Sequence, residues 1–192
     1  MDRLPVVLLP GMMLDARLYA GQIGALSPVA EVSCPDFGPG QSIGAMAEHV
    51  LARAPRRFAL VGLSMGGIVG LEIWRRDPDR VTHLALLDTT PFADAHSRRA
   101  VRLEQIAHVE SGGLVDVLKS LKSRYLAKRH RQDFAILRSI AEQGVALGVD
   151  AFRRQSLALR DRHDNTAALP CITCPALVLC GREDELCDDK PY

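Results

Sequence analysis

Short apolar runs alternate with amphipathic stretches along the first half of the chain. Continuous apolar runs rich in β-branched residues are typical of strands that are buried on both faces, as in a parallel sheet. Between these runs, apolar residues recur at helical spacing. The alternation predicts an α/β fold with a mostly parallel sheet, helices on both faces and right-handed crossovers. The predicted strands are residues 6–9, 29–34, 58–61 and 81–87.

Local signals mark where the predicted helices begin and end. Asp15 and Ser42 precede segments with apolar residues at helical spacing, and we interpret both as N-caps. Their side chains are of the type that accepts hydrogen bonds from the unpaired amides of a first helical turn. The helix that follows Ser64 is expected to stop at Asp77-Pro78, because proline disfavours the helical conformation in the residue before it.

The pattern changes in residues 93–164, which contain no strand-like run. Apolar spacing there predicts four helices, and residues 176–180 then resume the sheet as a further strand. A helical block between two strands is expected to cover the carboxyl ends of the sheet as a cap. The predicted organisation is a core of residues 1–92 and 165–192 with a helical cap of residues 93–164.

The net charge and the hydrophobic content of the chain bear on whether it binds nucleic acid or membranes. The 192 residues are 47% hydrophobic and carry a net charge of +1 at pH 7, so the chain has no general attraction to nucleic acid or to anionic membranes. The basic residues at 119–131 have no accompanying series of aromatic residues, and we interpret them as a solvated helix face. No apolar run is long enough to cross a membrane, and the first residues do not resemble a signal peptide, so we expect a cytoplasmic protein.

The chain contains five cysteines, an odd number. Without a secretory signal, this predicts reduced thiols. Cys171 and Cys174 have the spacing of a zinc-ligand pair, but Cys180 and Cys187 do not, and Cys180 ends an apolar strand. We therefore expect no metal, with a zinc site as the alternative.

Gly62, Ser64 and Gly66 form the motif G-x-S-x-G between a predicted strand and a predicted helix. In this context the motif is typical of a nucleophile elbow, a tight turn that holds a serine hydroxyl above the edge of the sheet. The turn needs small neighbours, and the helix that follows directs its unpaired amides towards a developing oxyanion. The alternative interpretation is a glycine-rich turn with an unused serine.

The motif is one of four segments that together resemble the α/β-hydrolase superfamily over nearly the whole chain. The closest resemblance is to its small cap-bearing bacterial esterases and lactone hydrolases. The resemblance implies a serine hydrolase of small carboxylic esters or lactones that needs no cofactor. The four segments are residues 6–13, 62–67, 88–91 and 177–184.

The resemblance also implies a role for individual residues. Ser64 corresponds to the nucleophile, and the backbone amides of Met65 and Met12 correspond to the oxyanion hole. Asp184 corresponds to the acid that orients a histidine, and Asp88, which also follows a strand, is the alternative acid.

The histidine that completes such a triad is missing from its expected place. In this superfamily it follows the acid, yet all six histidines precede Asp184. We expect that the chain is truncated, that it lacks the C-terminal strand and helix, and that its hydrolysis is impaired. His96 is the least unsuitable substitute.

Two further expectations follow. A catalytically silent binding protein with the same fold is the second functional hypothesis. An uncovered last strand would expose a sheet edge, so we also expect self-association.

Overall fold

The computed structural model describes residues 3–184, without the side chains of residues 122–124. This part of the chain contains five strands in one sheet, and all neighbouring pairs are parallel. The strand order is β2-β1-β3-β4-β5. The strands are β1 (Leu4–Leu9), β2 (Ala30–Ser33), β3 (Phe58–Leu63), β4 (Val81–Leu87) and β5 (Ala176–Leu179).

Six α-helices lie between the strands in this described range. The connections also contain short 3₁₀ segments and one π turn. The 3₁₀ segments are Ala16–Tyr19, Pro78–Arg80, Lys128–His130 and Thr166–Cys171, and the π turn is Val109–Gly113. The helices are α1 (Ala20–Leu26), α2 (Ile43–Leu51), α3 (Met65–Arg76), α4 (His96–His108), α5 (Leu114–Tyr125) and α6 (Phe134–Arg160).

Alternating residues of β1 face two different apolar clusters. Val7 and Leu9 belong to the cluster that includes buried residues of α2 and α3. Val6 and Leu8 belong to the cluster against which α1 packs. Because successive side chains of a strand point to opposite faces, the helices cover both faces of the sheet. The predicted α/β architecture, with a mostly parallel sheet and helices on both faces, is thereby confirmed.

Helices α4, α5 and α6 all lie in the segment between β4 and β5, where the sequence predicts a helical insertion. Their own cluster is built from residues such as Ile106, Val117 and Phe152, and it also contains Met13 from the loop after β1. The third and fourth predicted helices correspond to the two parts of α6, which meet at a kink at Gly148, where the φ of 78° is not helical. Met13 therefore links the helical insertion to the sheet.

The predicted helix boundaries agree with the structure. Asp15 accepts a hydrogen bond from the Arg17 amide, and Ser42 accepts one from the Ala45 amide. Helix α3 ends at Arg76, immediately before Asp77-Pro78. Strand β2 is shorter than predicted, since residues 29 and 34 lie outside it.

Candidate active site

Ser64 occupies the turn between β3 and α3 in an unusual backbone conformation. Its φ of 53° lies in the left-handed region, which costs about 1 kcal/mol or more for a residue with a side chain. Neighbouring groups hold it there. The Ser64 amide donates to the Leu87 carbonyl oxygen over 2.9 Å, and the Thr89 hydroxyl donates to the Ser64 carbonyl oxygen over 2.7 Å.

The glycines around Ser64 are required by close backbone approach. A Cβ atom at Gly66 would overlap the Leu9 carbonyl oxygen at the end of β1, and one at Gly62 would overlap the Gly66 carbonyl oxygen. The start of α3 therefore packs directly on the end of β1. This contact brings Ser64 close to the loop that follows β1.

That loop, residues 11–15, is held by two buried glutamines of α6. The Met13 amide donates to Oε1 of Gln155 over 2.8 Å, and the Asp15 amide donates to Oε1 of Gln143 over 3.0 Å. Met13 itself has a φ of 58°. The Leu14 amide bonds to the Gly11 carbonyl oxygen, whereas the Met12 amide has no acceptor within the described residues.

Two carboxylates meet at the carboxyl ends of β4 and β5. The nearest polar atoms of Asp88, Cys180 and Asp184 lie within 4.8 Å of one another. Asp88 Oδ1 accepts a hydrogen bond from the Gly181 amide over 2.5 Å, so this carboxylate also ties the two strand ends together. The two candidate acids of the sequence analysis are thus neighbours, and both line a cavity that includes Ser64.

Ser64 lines a large and a small cavity. The large cavity, of about 740 Å³, is bounded by the turn after β5 and by α6 and the segment before it. The small cavity, of about 170 Å³, is bounded by α4 and by Met12, Thr89 and Arg162. Tyr125 contributes to both. Met65 is almost fully buried and is not among the residues that line either cavity.

Histidines are absent from both cavities as far as the described residues define them. His96, the proposed substitute, is the first residue of α4 and is not among the lining residues. His49 lies in α2, where its Nε2 is 3.0 Å from Asp36 Oδ1.

The cysteines are dispersed over the described part of the fold. Cys34 is half-buried, and burial raises the pKa of its thiol to about 11. Cys171 is exposed, and Cys180 lies beside Asp184, with its Sγ 4.0 Å from Oδ2. Cys187, the fourth residue of the alternative zinc site, lies outside the described residues.

Sequence reasoning missed the groups that support the site from the helical insertion. Gln143 and Gln155 are buried polar residues within α6, and Asp94 binds two arginines, Arg102 and Arg162. In a pattern of apolar and polar residues, glutamine is normally assigned to the exposed face of a helix. The one available signal was that Gln143 and Gln155 fall on the apolar side of α6, where a buried polar side chain needs a hydrogen-bond partner.

The helices within residues 3–184 include none with the length and hydropathy of a membrane span. A family model described as "Alpha/beta hydrolase family" matches residues 6–191. The chain belongs to this family. The match extends from β1 past the turn that contains Asp184, so it includes every candidate site residue of the sequence analysis.

Several hydrolases are similar to this family member. A Yersinia enterocolitica protein with the provisional name carbamate hydrolase RutD is 27% identical over 94% of this chain and 70% of its own length. The pimeloyl-[acyl-carrier protein] methyl ester esterase of Pectobacterium carotovorum is 28% identical over 96% of this chain and 78% of its own length. A malate-bound thermophilic esterase from Thermogutta terrifontis has a TM-score of 0.87 and 26% identity, covering 94% of this chain and 72% of that one.

Proposed function

We propose that this chain is a serine hydrolase of small carboxylic esters or lactones, with Ser64 as the nucleophile. The observation that carries the proposal is the position of Ser64. It lies on a left-handed bend between a strand and a helix and lines a cavity together with the carboxylates of Asp88 and Asp184. Strained serines at such turns are typical of nucleophile elbows. Membership in the hydrolase family and the similarity to two esterases support the same chemistry.

The proposed oxyanion hole consists of the backbone amides of Met65 and Met12. Met65 is the first residue of α3, and the first amides of a helix have no partner within it. In the loop after β1, the amides of residues 13–15 all have acceptors, and the Met12 amide has none in the described residues. Such amides stabilise the negative charge of a tetrahedral intermediate and typically contribute about 3 kcal/mol each.

Asp184 is the proposed triad acid, and Asp88 is assigned a supporting role. Asp88 already accepts the Gly181 amide, which makes it a link between β4 and β5. Asp184 lines the large cavity beside Ser64. The expected consequence is that Asp184→Asn lowers any histidine- or imidazole-dependent activity, whereas Asp88→Asn weakens the link between β4 and β5 and lowers the stability of the fold.

The general base is the missing member of the proposed triad. The sequence has no histidine after Asp184, and none lines the two cavities within the described range. Removal of the base from a serine hydrolase lowers kcat by on the order of 10⁶-fold. We therefore propose that the 192-residue chain alone hydrolyses esters very slowly. A catalytically silent ligand-binding protein is the second candidate, because none of the six histidines is among the described residues that line the two cavities.

Exogenous imidazole provides a direct test of the incomplete triad. The large cavity, of about 740 Å³, is lined by Ser64, Asp88 and Asp184 and is large enough to admit this small ring. We expect hydrolysis of p-nitrophenyl butyrate to rise with imidazole concentration and to saturate, after subtraction of the hydrolysis that imidazole causes by itself. Ser64→Ala should abolish the saturable part, and Asp184→Asn should weaken it. Fast hydrolysis without imidazole would refute the proposed impairment.

A fluorophosphonate probe separates the two candidate functions. A serine hydrolase should be labelled at Ser64, more rapidly with imidazole than without, and the modified peptide can be identified by mass spectrometry. Absence of labelling under both conditions would support the silent binding protein. Labelling at another serine, with Ser64→Ala unaffected, would reject the assigned nucleophile.

A further inference from the structure

The small cavity beside Ser64 is lined by positively charged side chains and by no acidic ones among the described residues. Three arginines line it, Arg98 and Arg102 from α4 and Arg162 from the segment after α6. Within the described residues, no aspartate or glutamate lines it. The large cavity, in contrast, contains Asp88, Glu183 and Asp184 along with its arginines.

Two of the three arginines, Arg102 and Arg162, are held by one buried aspartate. Asp94, whose side chain is fully buried, accepts two hydrogen bonds from Arg102 and one from Arg162. Arg162 also donates to the carbonyl oxygens of Phe92 and Leu159. Two guanidinium groups therefore share one carboxylate, so Asp94, Arg102 and Arg162 together carry a net charge of +1 in a poorly solvated place.

Part of each guanidinium group remains available. Nη1 of Arg102 and Nη2 of Arg162 have no acceptor among residues 3–184, although the side chain of Arg162 is only 5% exposed. Burial, and then the nearby charges of Arg102 and Arg98, lower the pKa of Arg162 against the effect of Asp94. A bound anion would offset both the burial and the repulsion.

We propose that the small cavity is a subsite for a carboxylate group of the substrate, which is held by Arg102 and Arg162. The ester carbonyl would lie at Ser64 and the carboxylate at the arginines, so the favoured substrates are half-esters of short dicarboxylic acids. A carboxylate neutralises the net charge of +1 that Asp94, Arg102 and Arg162 carry together, and its two oxygens can accept hydrogen bonds from both guanidinium groups. The inference rests on the proposed function, because it takes Ser64 as the position of the reacting carbonyl.

The test measures binding, so that it does not depend on turnover. Calorimetric titrations of the Ser64→Ala protein would compare monomethyl glutarate with the neutral amide of the same length, methyl 5-amino-5-oxopentanoate. We expect the carboxylate to bind about tenfold more tightly or better, as a charge-assisted hydrogen bond allows. Equal affinity, or no binding of either compound, would overturn the subsite.

Arg102→Gln is the main variant, and Arg99→Gln is its matched control. Arg102→Gln leaves Asp94 with one arginine and removes the excess charge, so the preference for the carboxylate should disappear. Arg99 is on the same helix but pairs with Asp161 at the surface and does not line the cavity, so Arg99→Gln should retain the preference. A preference that persists in Arg102→Gln would reject the assignment.

A second variant tests the subsite independently, in case Arg102→Gln does not fold. Val101 lines the same cavity and is 48% exposed, so it tolerates a polar side chain. Val101→Asp should supply an internal carboxylate and abolish the preference without disturbing Asp94. If this variant still prefers the half-ester, the proposal fails. Because Ser64 labelling by fluorophosphonate is measured separately, failure of the subsite is distinguishable from failure of the proposed hydrolase.

Discussion

Gly66, in the first turn of α3, must be a glycine because it lies against the backbone of β1. A methyl group there would overlap the Leu9 carbonyl oxygen, and the backbone is less able to move than a flexible side chain. We expect Gly66→Ala to lower the free energy of unfolding by about 2 kcal/mol or more. Thermal melting monitored by circular dichroism would measure the loss.

Gly24→Ala is the matched control for this substitution. Gly24 lies inside α1, and a Cβ atom there meets no described atom within 4 Å. Alanine is a better helix former than glycine, so this variant should gain up to about 1 kcal/mol. Equal melting temperatures for the two variants would contradict the close contact at Gly66.

Asp94 makes stability depend on pH. Burial raises the pKa of its carboxyl group, but the hydrogen bonds from Arg102 and the charges of Arg102 and Arg162 outweigh burial, and the pKa lies below its ordinary value of 3.8. A carboxylate with a lowered pKa in the folded state stabilises the protein above about pH 4, and this contribution is lost as the pH falls through the folded pKa.

Asp94→Asn should therefore be costly at neutral pH and less so in acid. The variant leaves two arginines without their buried partner, and we expect it to lower the free energy of unfolding by about 3–5 kcal/mol at pH 7. Urea denaturation at pH 7 and pH 3.5 should show the difference from the parent shrinking at the lower pH. Asp150→Asn, on the exposed side of α6, should show no such change; a constant difference for Asp94→Asn would disprove the mechanism.

At the scale of elements, α6 supports the loop after β1. Gln155 is buried and accepts the Met13 amide, which adjoins the proposed oxyanion donor Met12. Gln155→Leu would leave a buried amide without a partner, and we expect a loss of about 1–3 kcal/mol in stability. The rate of fluorophosphonate labelling at Ser64 should fall severalfold, because the position of the Met12 amide is no longer held.

Gln143→Leu provides the comparison for this link. Gln143 is also buried and accepts the amide of Asp15, which is three residues from Met12. It should cost a similar amount of stability but slow the labelling of Ser64 much less. Equal slowing in both variants would mean that α6 acts on the site through general packing.

At the scale of the whole molecule, the uncovered edge of the sheet is the main feature. In the described residues β5 pairs with β4 on one side only, and Leu177 and Leu179 are 56% and 58% exposed. Unpaired edge strands with apolar side chains associate with other strands. We expect the chain to form concentration-dependent dimers or larger species through this edge, as measured by sedimentation velocity.

Charge at the edge should reverse this association. Leu177→Lys combined with Leu179→Lys introduces repulsion into a strand pair of two copies. Phe134→Lys, at the start of α6, replaces a side chain that is 85% exposed but does not belong to β5. The edge variant should sediment as a monomer and the Phe134 variant like the parent. A parent that is monomeric at all concentrations would exclude association through β5.

The sequence by itself determined the succession of strands and helices along the chain, the caps at Asp15 and Ser42, and the turn at Ser64. These features depend on side-chain period and on turn chemistry within a few residues, which a linear pattern contains. The same local reasoning could name Asp88 and Asp184 as separate candidates, since each follows an apolar strand.

Only the tertiary structure decided which of these groups meet. Asp88 and Asp184 converge because β4 and β5 are parallel neighbours. Gln155 reaches Met13 across 142 positions of sequence, and Asp94 reaches Arg162 across 68. Such contacts depend on how the helical insertion packs on the sheet, and no periodic pattern specifies which buried polar groups become partners. The charge of the small cavity is therefore a property of the fold that the sequence pattern did not reveal.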